Sequence, residues 1–160
     1  MYNVIRLSER LSEKHIIIHS ASTNAENILR EMVGTLSEEL GSEVCEDVAT
    51  AVFSREKQKS TGIGYGVAVP HARISSVKQL YCVVATSENG IEFKALDGKS
   101  VHLFFLIISP DSTVGPHLNI ISAISHLVGK NAKICEAFNK AFSPAEFMEI
   151  LRKEEEKYIG

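Results

Sequence analysis

The sequence predicts an α/β (α+β) fold in which helices cover both faces of a mixed sheet of four to five strands. Apolar residues recur at helical spacing near both ends of the chain, whereas short β-branched and continuously apolar segments fill the middle. The 160 residues suffice for about one domain of ordinary size. We therefore expect a single domain over residues 1–160, with a core at about 14–153 and an N-terminal extension at 1–13.

A short strand and a pair of helices are expected first. The segment His15–His19 encloses three consecutive isoleucines, which suit a strand. Thr23 and Glu26 form the Thr-x-x-Glu pattern of a capping box, and apolar residues then recur at helical spacing until Gly41. Ser42 can cap a second helix, so the two helices are predicted to form an antiparallel hairpin.

Strands are predicted in the middle of the chain. Val67–Pro70 is a short strand closed by proline, Leu80–Thr86 is a second, and Ile91–Phe93 is a third. Asp97–Gly98 is a strong hairpin signal. The segment Val101–Ile108 is almost continuously apolar, which predicts a central strand covered on both faces.

Helices are expected again after Pro110. Apolar residues predict one helix around residues 120–128 and another around residues 134–142. Ser143–Glu146 combines a capping box with proline at the first helical position, which predicts the start of a final helix. Two or three helices therefore follow the sheet.

Composition and charge exclude several classes of function. The chain has 17 Lys and Arg residues and 20 Asp and Glu residues. This slightly acidic charge balance argues against a dedicated nucleic-acid binder. Cys45, Cys82 and Cys135 lie far apart, which fits neither a disulfide framework nor a zinc site. Met1–Lys14 has no apolar signal core, and Leu103–Ile108 is far shorter than the roughly 20 residues that span a bilayer. We expect a cytoplasmic protein without a metal and without direct membrane insertion.

A glycine-rich loop precedes one of the predicted strands. Gly62, Gly64 and Gly66 stand at alternate positions, which indicates turns of positive φ or the close approach of another group. The pattern Gly-x-Gly-x-Gly before a strand matches neither a P-loop nor a dinucleotide-binding loop, because both need another spacing and a following helix. The loop is then either a turn at the entry to the strand or part of a site that the strand presents.

The strand after this loop leads to His71. Val69 is held in an extended conformation because it precedes proline, and the ring of Pro70 fixes its own φ. We therefore expect His71 to lie at a rigid strand end. A lone histidine at a strand end is more often structural than functional. Here, however, the small neighbouring residues leave room for a bulky tetrahedral group, and Arg55 can return to the site from the end of the preceding helix.

The residues around His71 resemble a known active-site signature. After Glu56 and six further residues comes Ile63–Ala72, which reads IGYGVAVPHA. This pattern is similar to the signature of the type-2 (mannitol/fructose) IIA domains of the bacterial phosphoenolpyruvate-dependent phosphotransferase system. The resemblance extends from about Asn24 to Leu151, and it implies the IIA mannitol/fructose-type fold for nearly the whole chain.

The resemblance implies that His71 takes a phosphoryl group on Nε2 from phospho-HPr, or from its nitrogen-type counterpart, and passes it on. His117 matches the second histidine of the family's site and Arg55 matches its arginine; Thr61 and the three glycines are expected to support the loop or the phosphate. A neutral imidazole is a competent nucleophile, a guanidinium neutralises phosphate charge, and a second imidazole can donate a hydrogen bond. No metal or cofactor is implied.

Three functions stay open on the sequence alone. A regulatory phosphoprotein of the nitrogen-type branch would bind a kinase, a transporter or a transcription factor in one phosphorylation state. A sugar-specific component would donate to the IIB domain of a fructose- or mannitol-type permease. The third function is a binding module that is never phosphorylated. The single domain and the run Ser60–Gly64 favour the first, and the presence of Arg55, His71 and His117 argues against the third.

A carrier must dock two proteins in turn at one site. We therefore expect a shallow apolar depression around His71, with exposed apolar residues near Ile63 and Ile74. One departure from the family concerns Tyr65, which stands where some mannitol-type members carry an acidic residue. The roles of that acid do not transfer to this chain.

Overall fold

The computed structural model describes residues 5–159, which form a six-stranded sheet flanked by helices. The strands are β1 (Ile16–Ile17), β2 (Gly62–Gly64), β3 (Val67–Ala68), β4 (His71–Arg73), β5 (Tyr81–Ile91) and β6 (Val101–Ser109). The helices are α1 (Ala25–Gly34), α2 (Ser37–Gln58), α3 (Val114–Lys130), α4 (Ile134–Asn139) and α5 (Pro144–Ile159), and 3-10 turns lie at Leu7–Glu9 and Glu13–His15. The first four residues of the predicted extension lie outside the described residues.

The sheet is mixed, as predicted, with the order β1-β5-β6-β3-β2. Strand β5 runs antiparallel to β6, and β3 and β4 both run parallel to β6 along its other edge. The expectation of four to five strands falls short of the six observed, because Gly62–Gly64 of the predicted loop forms β2 and Pro70 separates β4 from β3. The two pieces stay in line, since the amide of Ile107 in β6 donates to the carbonyl of Pro70 (3.0 Å).

Strand β6 is the buried centre of the sheet, which confirms the interpretation of its continuous apolar run. Leu103, Phe105 and Ile107 pack into the core formed with α3, α4 and α5. Phe104 and Leu106, which alternate with them, pack into the core formed with α1 and α2. Because successive side chains of a strand point to opposite faces, a strand covered on both faces needs apolar residues throughout.

The first helices begin and end differently from the prediction. Asn24, not Thr23, caps α1, since its side chain accepts the amide hydrogen three residues on (2.8 Å). Helix α1 ends at Gly34 rather than at Gly41. Gly41 still interrupts the helical run, because its φ of 81° breaks α2 near its start. The longer part of α2 then follows from Ser42, as the sequence predicted.

Two further predictions concern the middle and the end of the chain. Ile91–Phe93 forms no separate strand, because β5 continues to Ile91 with an irregular register after Thr86. The hairpin is confirmed, since the Asp97–Gly98 turn lies in the connection between β5 and β6. Half of the capping box before α5 is present, since the hydroxyl of Ser143 accepts from the amide of Glu146 (3.1 Å), while the carboxylate of Glu146 accepts from the amide of Phe142 (2.9 Å).

The described part of the predicted N-terminal extension packs against α5. Leu7 and Leu11 are buried in the core. The buried carboxylate of Glu155 accepts the amide hydrogens of Leu7 and Ser8, which ties the first 3-10 turn to α5. None of the helices among residues 5–159 is both long enough and apolar enough to cross a bilayer.

Candidate active site

An open depression of about 630 Å³ lies where β4 and β6 end beside α2 and α3. Arg55 of α2, His71 and Arg73 of β4, and His117 of α3 line it. The topology explains this meeting, since β4 and β6 are parallel neighbours and the chain enters α3 soon after β6 ends. Residues 46 positions apart in sequence, His71 and His117, therefore come to the same edge of the sheet.

The ring of His71 is held by its own backbone. Its Nδ1 lies 2.8 Å from the carbonyl oxygen of Val69. A carbonyl oxygen can only accept, so Nδ1 carries the proton and donates, and Nε2 of the neutral ring keeps its lone pair. Burial lowers the pKa of His71, and the charges of Arg55 and Arg73 lower it further, although the bond to Val69 opposes them. The ring is therefore neutral near pH 7.

His117 lies directly beside His71. The two ring centroids are 5.3 Å apart and the ring planes meet at 64°. The side chain of His117 is buried, and its Nδ1 is hydrogen-bonded to the hydroxyl of Ser109. Burial lowers the pKa of His117 to about 4, and the charges of His71 and Arg73 contribute. This second ring is thus also neutral near pH 7.

Two guanidinium groups supply positive charge to the depression. Arg55 donates from Nη1 to the carbonyl of Lys59 (2.8 Å), which fixes its side chain at the C-terminal end of α2. One of its five N–H groups is used in this bond. Arg73 lies two residues after His71 on β4, on the same face of the strand, because side chains alternate. Arg73 was not among the predicted site residues, and the structure places it in the lining of the depression.

Thr61 is not among the residues that line this depression. It is buried, and its amide and hydroxyl both donate to the carboxylate of Glu56, at 2.9 and 2.6 Å. Glu56, which begins the signature, therefore fastens the loop to the end of α2. A phosphate contact from Thr61 has no support in this geometry.

The three glycines of the loop also lie away from the depression. Gly62 allows a close approach, because a Cβ there would lie 2.7 Å from the Cβ of Ala95. Gly64 and Gly66 have φ angles of 90° and 78°, and Tyr65 between them has 58°. Three consecutive residues of positive φ make the tight turn from β2 into β3, which favours glycine on both sides of Tyr65. The strand-entry interpretation accounts for all three glycines.

The apolar surface of the depression comes from other residues than expected. Ile63 and Ile74 are partly buried, pack against the two cores, and do not line the depression. The exposed apolar side chains are Val114 and Leu118, which are 49% and 56% exposed on the first turns of α3. Ile63 and Ile74 themselves are therefore not exposed, since β2 and the segment after β4 pack inward, whereas Tyr65, two residues from Ile63, is 58% exposed.

The chemistry of the depression suits an anion better than a metal ion. Across residues 5–159, no group of three or more His, Cys, Asp and Glu side chains is placed to hold a metal. Two guanidinium groups and two neutral imidazoles line the depression instead, beside one carboxylate, that of Asp111. Guanidinium groups bind phosphate with paired N–H donors, and a neutral imidazole can act as its nucleophile.

Comparison with known proteins decides the family. The model of the family described as "Phosphoenolpyruvate-dependent sugar phosphotransferase system, EIIA 2" matches residues 9–154. The chain belongs to this family. The match includes the glycine-rich loop, β4, β6 and α3, so this EIIA domain contains every residue of the depression described above.

Relatives of this EIIA domain include nitrogen regulatory proteins and fructose-specific components. The solved nitrogen regulatory protein IIA-Ntr from Neisseria meningitidis is 32% identical, with a TM-score of 0.82 over 91% of this chain and 98% of that one. The fructose-specific EIIABC component of Bacillus subtilis is 32% identical over 78% of this chain, which spans only 20% of that longer protein. The nitrogen regulatory protein of Pseudomonas aeruginosa is 26% identical over 79% of this chain and 82% of its own length.

Sequence reasoning missed two residues of the EIIA site. Arg73 had a usable signal, because a residue two positions after His71 in a strand shares its face. Ser109 had none, since it ends an apolar run and is separated from His117 by a proline and a turn. Its contact with His117 depends on how α3 packs against the end of β6, which the sequence does not show.

Proposed function

We propose that this EIIA domain is a phosphohistidine carrier, in which Nε2 of His71 accepts a phosphoryl group from phospho-HPr or its nitrogen-type counterpart. The observation that carries this proposal is the bond from Nδ1 of His71 to the carbonyl of Val69. It assigns the ring proton to Nδ1 and leaves the lone pair on Nε2, which is the form a nucleophile needs.

The transfer step needs no group beyond the two proteins. Nε2 of His71 attacks phosphorus, the bond between phosphorus and the donor's ring nitrogen breaks, and its electron pair returns to the donor. As positive charge develops on the His71 ring, the carbonyl of Val69 stabilises the Nδ1–H that carries it. Passing the group to the next protein reverses the same steps. Positioning and charge neutralisation are the main requirements of such a transfer.

The surroundings of His71 supply those requirements. Arg55 and Arg73 line the same depression and place two positive charges near the incoming phosphoryl oxygens. His117 lies beside the ring and is uncharged near pH 7, because its pKa is lowered to about 4. Val114 and Leu118 form an exposed apolar rim that a donor or acceptor protein can cover.

We propose regulation of a partner protein as the use of this phosphoryl group. The similarity to IIA-Ntr of Neisseria meningitidis, at 32% identity over 91% of the chain, favours this role. A sugar-specific role, with donation to a IIB domain, is the alternative, and the equal identity to the Bacillus subtilis fructose-specific component favours it. Capture of a kinase, transporter or transcription factor in only one phosphorylation state supports regulation, whereas restoration of fructose or mannitol uptake supports transport.

Intact-protein mass spectrometry tests the carrier chemistry. The protein is incubated with phosphoenolpyruvate, enzyme I and HPr or its nitrogen-type counterpart from the same organism. One acid-labile phosphoryl adduct is expected on the wild type and on His126→Gln, a matched control at an exposed histidine of α3. No adduct is expected on His71→Gln. Full phosphorylation of His71→Gln, or no adduct on the wild type, would overturn the proposal.

A further inference from the structure

Ser109 is a fully buried polar residue at the end of β6, in contact with the second histidine of the site. Its side chain has no exposed surface, and its hydroxyl is hydrogen-bonded to Nδ1 of His117. It lies opposite Arg73 in the β4–β6 register. The carbonyl of Ser109 accepts from the amide of Ile74 (2.9 Å), so the backbone that carries the hydroxyl is itself anchored.

The direction of this hydrogen bond follows from the number of partners. Among the hydrogen bonds of residues 5–159, Nδ1 of His117 is the single partner of the Ser109 hydroxyl oxygen. If Nδ1 carried the ring proton, the hydroxyl hydrogen would be buried without an acceptor, which is strongly disfavoured. If the hydroxyl donates, both groups are satisfied. The Ser109 hydroxyl is therefore the donor, and Nδ1 of His117 is the acceptor.

We propose that Ser109 is a positioning residue that holds His117 as the Nε2–H tautomer. A neutral imidazole carries one ring proton, so an accepting Nδ1 requires a protonated Nε2. The Ser109 hydroxyl is bonded to Nδ1 of His117. The Nε2–H therefore remains free to donate a hydrogen bond in the depression that His117 lines.

The two histidines then hold opposite tautomers. Val69 holds the proton of His71 on Nδ1, and Ser109 holds that of His117 on Nε2. One ring offers a lone pair and its neighbour offers an N–H donor. The use of that donor, a hydrogen bond to the phosphoryl group on His71, rests on the proposed function. The tautomer of His117 does not depend on it.

Nitrogen NMR of the uniformly ¹⁵N-labelled protein at pH 7.5 tests the tautomer directly. Long-range ¹H–¹⁵N correlations within the imidazole ring distinguish a protonated from an unprotonated ring nitrogen. We expect protonated Nε2 and unprotonated Nδ1 for His117 in the wild type, and in Ser109→Thr, which keeps the hydroxyl. Ser109→Ala should give a mixture of tautomers or the Nδ1–H form, while Ser125→Ala, at an exposed serine of α3, should match the wild type.

A kinetic measurement on the same variants gives a second readout. The rate of phosphorylation of His71 should fall in Ser109→Ala in proportion to the Nδ1–H fraction of His117, because a ring in that tautomer no longer donates from Nε2. A complete shift to the Nδ1–H form should slow the transfer at least about tenfold. Ser109→Thr should recover most of the rate, and the donor concentration for half-maximal rate should change little. Backbone ¹H–¹⁵N spectra verify that each variant is folded.

The outcomes separate this inference from the carrier proposal. Two results would overturn the role of Ser109. One is protonation of His117 on Nδ1 in the wild type, and the other is the wild-type tautomer of His117 in Ser109→Ala. If wild-type His117 has the Nε2–H tautomer and Ser109→Ala loses it, the role of Ser109 is supported even where no phosphoryl adduct forms. The carrier chemistry alone would then fail.

Discussion

The rings of His71 and His117 lie with their centroids 5.3 Å apart and their planes at 64°. His71 is the first residue of β4, directly after Pro70, and His117 lies in the first turn of α3, which follows β6 in the chain. Both are neutral near pH 7, because burial lowers both pKa values and the positive charge of Arg73 lowers both further. Two uncharged rings at this separation can divide the roles of nucleophile and hydrogen-bond donor.

Replacing His117 should slow the transfer without moving its site. In His117→Ala the ring is lost, and with it the donor beside the phosphoryl group. We expect phosphorylation of His71 to slow by about 10- to 100-fold, because one preorganised donor is missing. Single-turnover kinetics with the phosphorylated donor protein measure the effect. A rate equal to that of the wild type would contradict a role for His117 in the transfer.

Arg55 should matter for the shape of its guanidinium as well as for its charge. Arg55→Lys keeps the charge but loses the planar fork, so we expect transfer to slow by about tenfold. The unfolding free energy should change by no more than about 1 kcal/mol, since the side chain caps α2 with one hydrogen bond. Lys57→Arg, on the same helix but outside the depression, is the control. If both variants transfer at the wild-type rate, the planar fork of Arg55 has no part in the transfer.

Acid should destabilise the fold through His117. Its pKa is about 4 in the folded state against an ordinary value of 6.5. Between these values the unfolded chain binds more protons, so the free energy of unfolding falls as the pH falls from about 6.5 to about 4. From pH 7 to pH 5 the loss from His117 is about 1–2 kcal/mol. The lowered pKa of His71 acts in the same direction.

Urea denaturation of the wild type and His117→Gln at pH 7 and pH 5 measures this contribution. The variant should lose less stability than the wild type over the interval, because glutamine does not titrate. Carboxylates contribute equally to both proteins, so the difference between the two declines isolates His117. Parallel declines would mean that His117 is not held neutral by the fold.

The close contact at Gly62 gives a test of the loop's role. In Gly62→Ala the new Cβ would lie 2.7 Å from the Cβ and 2.9 Å from the Cα of Ala95, so backbone must move. We expect a loss of about 1–3 kcal/mol in unfolding free energy. Gly34→Ala is the matched control, since a Cβ at that helix end meets nothing within 4 Å. It should be neutral or stabilising by up to about 1 kcal/mol.

Transfer kinetics of the two alanine variants then show whether Gly62 affects only the stability of the fold or also the phosphorylation of His71. Gly62 does not line the depression, so the fraction of Gly62→Ala that remains folded should be phosphorylated at nearly the wild-type rate. A folded Gly62→Ala protein with a strongly reduced rate would restore the expectation that the loop supports the phosphate.

Local signals in the sequence were enough for part of the fold and the site. The almost continuously apolar sequence of β6 indicated a strand buried on both faces, and β6 does pack into a hydrophobic core on each side of the sheet. Val69 and Pro70 restrict their own backbone, so the rigid setting of His71 was predictable without any distant contact. His117 came from the resemblance to a family, since no spacing in this chain links it to His71, and the resemblance strengthened the case for Arg55 at the end of the preceding helix.

Distant contacts account for the rest. Gly62 is explained by Ala95, more than 30 residues away, and Thr61 is held by Glu56 across the end of α2. Helix α1 is capped by Asn24 and not by Thr23. Both residue types are favourable N-caps, so the local sequence could not show which of the two neighbours caps the helix. Ser109 acquires its role only through α3, which the sequence does not place beside β6.

Detection of the phosphorylated ring nitrogen tests the central claim most directly. The protein, labelled with ¹⁵N in its histidines, is phosphorylated through enzyme I and its donor and examined at alkaline pH for ³¹P–¹⁵N coupling. We predict one phosphoryl group on Nε2 of His71, with Nδ1 still protonated and bonded to Val69. A phosphoryl group on Nδ1 of His71, or on either nitrogen of His117, would overturn this assignment. The carbonyl of Val69 and the hydroxyl of Ser109 occupy the two Nδ1 atoms, and Nε2 of His117 carries a proton instead of a free lone pair.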